Sequence, residues 1–189
     1  MTAALPDLNA RLRSSNGLSA GGKTIQRWSY PNPAIGTYGR DYALRAAVAF
    51  AGLGALPPDE AIYLSAAGDS TGQPLDGAFR CGVRILAKGI EARAFWSLSM
   101  YQVEPDGRMF FTDNPIKRYT VGDRTQGMTK NTDGSTDIVG QREEPATAEL
   151  KANWLPSPSG PFSLILRAYL PSPNLAQGKA PFPTVERTP

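Results

Sequence analysis

Period-two alternation runs through the second half of this chain and confines it to sheet. Over residues 162–170, Phe162, Leu164, Leu166, Ala168 and Leu170 fall on one side, while Ser163, Ile165, Arg167 and Tyr169 fall on the other. Residues 79–86 alternate with arginines opposite the apolar set, and residues 94–101 place Ala94, Trp96, Leu98 and Met100 together. Further short runs at 61–66, 109–111, 119–122 and 136–139 are separated by turn signals such as Pro105-Asp106-Gly107 and Asp133-Gly134. Seventeen prolines and nineteen glycines suit many turns between short strands and exclude a helix bundle. The reading is mainly β, an antiparallel sandwich or barrel of seven or eight strands.

One helix is expected before the strands. Tyr42, Ala43, Ala46, Ala47 and Phe50 recur at helical spacing, Thr37 or Asp41 offers a cap, and Gly52 and Gly54 offer a stop. Its small apolar face should lie against a sheet. Residues 1–36 read as an irregular arm with a short helical turn over 5–12, residues 37–171 as a single sandwich domain, and residues 172–189 as a proline-rich tail. At 189 residues, one domain is the natural division. A chain of this length buries about 70% of its unfolded surface, so its core needs no staple.

Several chemistries are excluded outright. The chain has no histidine and one cysteine, which removes Ser-His-Asp and Cys-His nucleophiles, thiolate zinc sites and two-His iron sites. Cys81 is in phase with apolar neighbours and reads as a buried structural thiol. Asn131, Asp133, Ser135 and Asp137 imitate a calcium loop, but Thr136 and Arg142 stand where an EF-hand needs Gly and Glu. No metal or cofactor is expected. Net charge is only +3 with scattered basic residues, which argues against a nucleic-acid partner. No membrane span and no signal peptide are visible, so the cytoplasm is the default compartment, with an exported origin left open.

The candidate site is the loop over residues 114–124, where Arg118, Asp123 and Arg124 bring two guanidinium forks and a carboxylate to one corner. The competing reading is an ion-paired clamp holding the loop to its own neighbours. Trp154, ahead of a proline-braced stretch ending at Pro161, either presents a stacking ring or plugs the space between sheets. Trp96 reads as core. Tyr101 is a possible acid or base once its pKa, ordinarily near 10, is lowered.

Beyond these, Tyr38-Gly39-Arg40-Asp41-Tyr42, Glu60-Ala61-Ile62-Tyr63, residues 72–77, 95–101, 114–124 and 131–135, and Asn153-Trp154-Leu155-Pro156 with Gly160-Pro161-Phe162, occur in order from about 36 to 171. In this the chain resembles the bacterial family called domain of unknown function 1214. The resemblance implies a jelly-roll-like β-sandwich, here with the one N-terminal helix packed on it. It also implies a frequent position after the domain of unknown function 1254 in longer, exported proteins. It carries no assigned activity. Two places depart from the expected pattern: Phe79-Arg80-Cys81-Gly82, where an Asn-Arg-Tyr type is usual, and Gly140, where a larger strand residue is usual. The functional expectation is a binding or assembly module for a small carbohydrate or anion around Arg118, Asp123, Arg124, Trp154 and Tyr101. The alternatives are a histidine-free hydrolase or lyase on a carbohydrate, and a protein–protein module with a homo-oligomer or partner domain. The last predicts an exposed apolar patch along residues 17–33.

Overall fold

A computed structural model describes residues 22–188. Eleven strands among them form two sheets. We number them β1 (Thr24–Ile25), β2 (Trp28–Ser29), β3 (Ala61–Ala66), β4 (Arg80–Ile85), β5 (Ala92–Val103), β6 (Met109–Phe110), β7 (Thr120–Gly122), β8 (Thr136–Gln141), β9 (Trp154–Pro156), β10 (Phe162–Pro171) and β11 (Val185–Thr188). The helices are α1 (Tyr42–Gly52), α2 (Ala148–Ala152) and α3 (Pro173–Ala176). The larger sheet has seven strands in the order β1-β2-β3-β10-β5-β6, with β7 also on the outer edge of β5; the smaller is β11-β4-β8-β9. All pairings are antiparallel except β8 with β9, which is parallel.

The alternation decides what faces the core. Across β3, β10 and β5 the rows Leu64–Leu166–Leu98 and Ile62–Ala168–Trp96 are in register and buried. Against them stand Cys81, Val83, Ile85 and Ile138 of the smaller sheet, in one continuous cluster with Trp28, Tyr30 and Phe182. Burying such side chains contributes about 1.5–3 kcal/mol each.

The described parts of the segments read as an arm and a tail supply β1, β2 and β11 to the sheets. Trp28 is fully buried in the hairpin β1–β2, edge-on to Phe182, and its Nε1 donates to Pro183 O at 2.7 Å. The expected apolar patch over 17–33 is therefore not present where Trp28 and Tyr30 lie, since both rings are inside. Burial pushes the Tyr30 hydroxyl up to about 12. The expected turn over 5–12 lies outside the described residues. At the other end, β11 pairs with β4, Arg187 reaches the buried carboxylate of Asp69 at 3.4 Å, and Ser70 donates to Glu186 at 2.5 Å.

The helix forms where expected, capped by Asp41 Oδ1 accepting from Leu44 N at 2.9 Å, but two strands precede it and its phase differs. Leu44, Ala47 and Val48 are buried, while Tyr42 and Phe50 are more than half exposed. Leu44 and Val48 pack on Ile35, with Ala34, Tyr38 and Ala55 around them, in a cluster separate from the intersheet core.

Cys81 and Gly140, both singled out in the sequence, are directly opposed across β4 and β8. A Cβ on Gly140 would lie 2.5 Å from Cys81 Sγ and 3.2 Å from Met100 Cε. The thiol occupies the space a larger strand residue would fill, and burial pushes its pKa up to about 12. Gly140→Ala is accordingly expected to lower the unfolding free energy by about 1–3 kcal/mol. Cys81→Ala in the same chain should recover at least half of that loss in denaturant titrations. Additive losses in the double variant would refute this fit.

Candidate functional site

The loop expected to form a site is folded mainly by its own side chains. Asn114 Oδ1 accepts from Arg118 N at 2.9 Å, and its Nδ2 donates to Thr112 O at 3.2 Å and Arg118 O at 3.1 Å, which closes the turn through Lys117 at φ 49°. Arg118 Nη1 then spans to the smaller sheet, donating to Lys151 O at 3.2 Å, Ala152 O at 3.0 Å and Trp154 O at 3.0 Å. These are the carbonyls where α2 ends and β9 begins, acceptors that a helix end leaves unpaired. Trp154 is 2% exposed, with Nε1 donating to Gln141 O at 2.8 Å. It is buried on the side of β9 away from the intersheet core, which Leu155 joins instead, and its ring offers no free face to a ligand; Arg118 is half-buried with its Nη1 engaged.

Asp123 and Arg124 leave the end of β7 toward β5. Asp123 Oδ1 accepts from Trp96 N at 3.1 Å; Arg124 Nη2 donates to Ala94 O at 3.2 Å and its guanidinium lies 4.4 Å from the Phe95 ring centre. Gly122 permits this closeness, because a Cβ there would collide with Trp96 O. The three family segments around Trp96, Arg118 and Trp154 thus meet as one clasp, with the middle one bonded to both others.

Asp123 also borders a cleft of about 370 Å³. The cleft lies between the β4–β5 connection, the chain after β7 and the turn before β8. Ile90, Ala92, Trp96 and Met128 supply its apolar lining, and Lys88, Lys130 and Thr136 its polar lining. Lys88 Nζ is 3.5 Å from Glu91, whereas Lys130 is exposed and has no ion-pair partner among the described residues. The turn forming one wall is the calcium-loop imitation. Its oxygens are engaged by protein donors: Asp133 Oδ1 accepts from Ser135 N at 2.9 Å and Oγ at 2.6 Å, Asp133 Oδ2 from Arg84 at 2.8 Å, and Asp137 Oδ2 from Asn131 at 2.8 Å. Among the described residues no group of three or more acidic, cysteine or histidine side chains is arranged to hold a metal.

Tyr101 stands apart from both, on the face of the larger sheet turned away from the core. There its hydroxyl oxygen accepts from Arg167 Nη2 at 2.8 Å, while Arg167 Nη1 donates to Ser99 Oγ at 3.0 Å. Arg167 also lies 5.9 Å from the Tyr63 ring. Phe95 stacks on Tyr169 at 4.3 Å and Tyr101 on Phe111 at 4.7 Å. Burial, then the bond to Tyr169, raises the Tyr63 pKa above its ordinary value. The five expected site residues therefore separate into a structural pair, Arg118 and Trp154, a cleft residue, Asp123, and two residues of the outer face, Arg124 and Tyr101. Lys130 and Met128 escaped sequence reasoning because they sit in a turn-rich stretch without period. The aromatic ladder was visible only as the polar side of each strand's alternation.

These features define a mainly β domain of two curled sheets joined by a polar clasp, with a side cleft and an arginine-bearing outer face. The chain belongs to the family described as protein of unknown function DUF1214, which it matches over residues 60–173. It is similar to the crystal structure of the VPA0106 protein from Vibrio parahaemolyticus, with a TM-score of 0.67 and 24% identity, over 100% of this chain and 43% of that one. A second similar structure, an uncharacterised protein from Burkholderia cenocepacia, gives a TM-score of 0.42 at 20% identity over 71% of this chain and 31% of that one. The chain thus spans less than half the length of either. No protein of curated function matches the sequence. No helix among the described residues is long and apolar enough to cross a membrane.

Two expectations test this geometry. Arg118→Ala should destabilise the domain by about 2–3 kcal/mol, because three carbonyls lose a charged donor. Arg118→Lys should not restore the loss, since a point charge cannot span the three; full stability of the lysine variant in chemical denaturation would contradict the clasp. The Ser135 hydrogen bonds, with Arg84 behind them, hold the Asp133 carboxyl near 2 against an ordinary 3.8. A lowered folded-state pKa stabilises above pH 3.8 and is lost as pH falls through about 2. Asp133→Asn should therefore flatten the acid limb of the stability curve relative to the parent; identical acid limbs would contradict the assignment.

Proposed function

We propose that this domain is a non-enzymatic binding module for a small hydroxylated carboxylate, a sugar acid or comparable hydroxy acid, seated in the cleft beside Trp96. We read the two sheets as the halves of a jelly-roll-like sandwich that holds this cleft at its side. The observation that carries the proposal is Lys130, an exposed lysine with no ion-pair partner among the described residues, in the lining of a recess of mixed polar and apolar side chains. A recess of about 370 Å³ suits a ligand of monosaccharide size. Lys130 and Lys88 supply charge for the carboxylate, and Thr136 and the second oxygen of Asp123 supply hydrogen bonds for hydroxyl groups. Apolar contact comes from Ile90, Met128 and the exposed margin of Trp96.

Binding is favoured over hydrolysis or elimination by what surrounds these groups. Asp123 is committed through one oxygen to the Trp96 amide and Lys88 to Glu91, while the one thiol is buried in the core. The rings of Trp96 and Trp154 are too buried to serve as sugar-stacking platforms, so recognition rests on charge and hydroxyl contacts.

Calorimetric titration with sugar acids such as glucuronate and gluconate, beside neutral glucose, tests the reading. Saturable binding of an acid, weakened about tenfold or more by Lys130→Ala and absent for glucose, is expected. No saturable binding at millimolar concentration, or affinity indifferent to Lys130→Ala, would overturn it. Consumption of the acid in a parallel NMR time course would replace it with the enzymatic reading.

A further inference from the structure

The outer face of the larger sheet carries a second recognition surface, independent of the cleft. The in-register rows fix which residues stand on it: Ala61, Tyr63 and Ser65 from β3; Ser163, Ile165, Arg167 and Tyr169 from β10; Phe95, Ser97, Ser99 and Tyr101 from β5; Thr120 from β7. Exposed Arg93 stands just beyond them, at the register shift near the start of β5. No aspartate or glutamate is among them. Arg124 is added from above Phe95, which leaves Arg93, Arg124 and Arg167 without any ion pair among the described residues. A sheet face usually mixes both signs when solvent is its only partner.

The aromatic residues sharpen the chemistry. Phe95 and Tyr169 are stacked with their planes 19° apart, and Tyr101 and Phe111 with theirs 18° apart. Each stacked ring has one face on its partner, and guanidiniums lie over others: Arg124 4.4 Å from the Phe95 ring centre and Arg167 5.6 Å from that of Tyr101. The arginines supply the charge of this surface, which attracts anionic groups. Between them run the small hydroxyl residues Ser65, Ser97 and Thr120, with Ser99 buried beneath and bonded to Thr120 and Arg167. From Phe95 to Tyr101 the surface is ~20 Å long, and from β3 to β7 ~14 Å across, from strand rise and spacing. That footprint accommodates one extended segment of about six residues and is too small for a standard protein–protein interface.

We propose that this face binds a short acidic segment of a partner polypeptide, laid along β5 and β10 with its carboxylates on Arg93, Arg124 and Arg167.

The test is fluorescence anisotropy of a labelled decapeptide of alternating Glu and Ser at low salt, with Lys/Ser and Ser-only decapeptides beside it. The acidic peptide alone should bind saturably, and 0.5 M NaCl should weaken it at least tenfold, because the contacts are screened. The paired reversal Arg93→Glu/Arg124→Glu touches exposed side chains only and should abolish binding while leaving the melting temperature in place. Arg167→Gln supplies a third arm and should weaken binding without eliminating it. No acidic-peptide binding, or binding unaffected by the reversal, overturns the proposal. Competition by an alginate oligosaccharide at lower concentration than the peptide also overturns it, since the occupant would then be a polyuronate. Lys130→Ala should leave peptide affinity unchanged and the charge reversal should leave sugar-acid affinity unchanged, so failure of either site is read separately.

Discussion

The guanidinium of Arg118 is the contact on which the rest of the arrangement depends. A β-sandwich has one strongly cohesive direction, the apolar interface between its sheets, and its lateral edges are held only by what crosses them. Here one side chain from the approach to β7 satisfies three carbonyls at the junction of α2 and β9. Those carbonyls sit at the free edge of the smaller sheet, where an unpaired backbone acceptor carries a cost of desolvation. The bond thereby sets the relation between β7 and β9. It also fixes how far the chain after β7 stands from the turn before β8, which is the width of the cleft. Asn153 adds to the same seam, exchanging hydrogen bonds with Thr129 N and O, each at 2.9 Å.

Seen from this seam, the family segments are primarily architectural. Guanidinium, amide and indole groups look functional in one dimension because functional sites and structural clasps draw on the same residue types. What separates them is whether their donors and acceptors are already engaged, and that depends on partners distant in sequence. Arg118 finds its acceptors 33 to 36 residues away and Asp123 its donor 27 away. Lys130, by contrast, is a solitary charge in a loop and carries no pattern that a sequence reading can detect.

The fold was far more visible than the site. Period two located β3, β4, β5, β8 and β10 nearly to the residue, because each has one face against the core and a one-residue slip would turn that face outward. Three features resisted. The helix α1 is apolar around much of its circumference, with Tyr42, Leu44, Ala47, Val48 and Phe50 all eligible, so periodicity could not choose its buried side and Ile35 chose it. The strand β9 is hidden by Pro156, which is compatible with strand structure only at an edge, and β9 is an edge. The strand β11 is four residues long, and two of them, Glu186 and Arg187, are exposed. Cys81 and Gly140 were visible one at a time, yet only their pairing across two strands shows that the thiol sits over the glycine.

The last strand has a consequence for how the domain is assembled. β11 supplies the second neighbour of β4, and its fastening by Ser70 and Glu186 joins positions 116 residues apart. Until residues 185–188 arrive, β4 has one open hydrogen-bonding edge beside its apolar Cys81, Val83 and Ile85 row. Contacts of such long sequence separation form late, because loop closure must precede their reward. An unpaired apolar edge of this kind is the feature by which partly folded sheets associate with one another. The docking of residues 185–188 is what covers that edge of β4 in the folded domain.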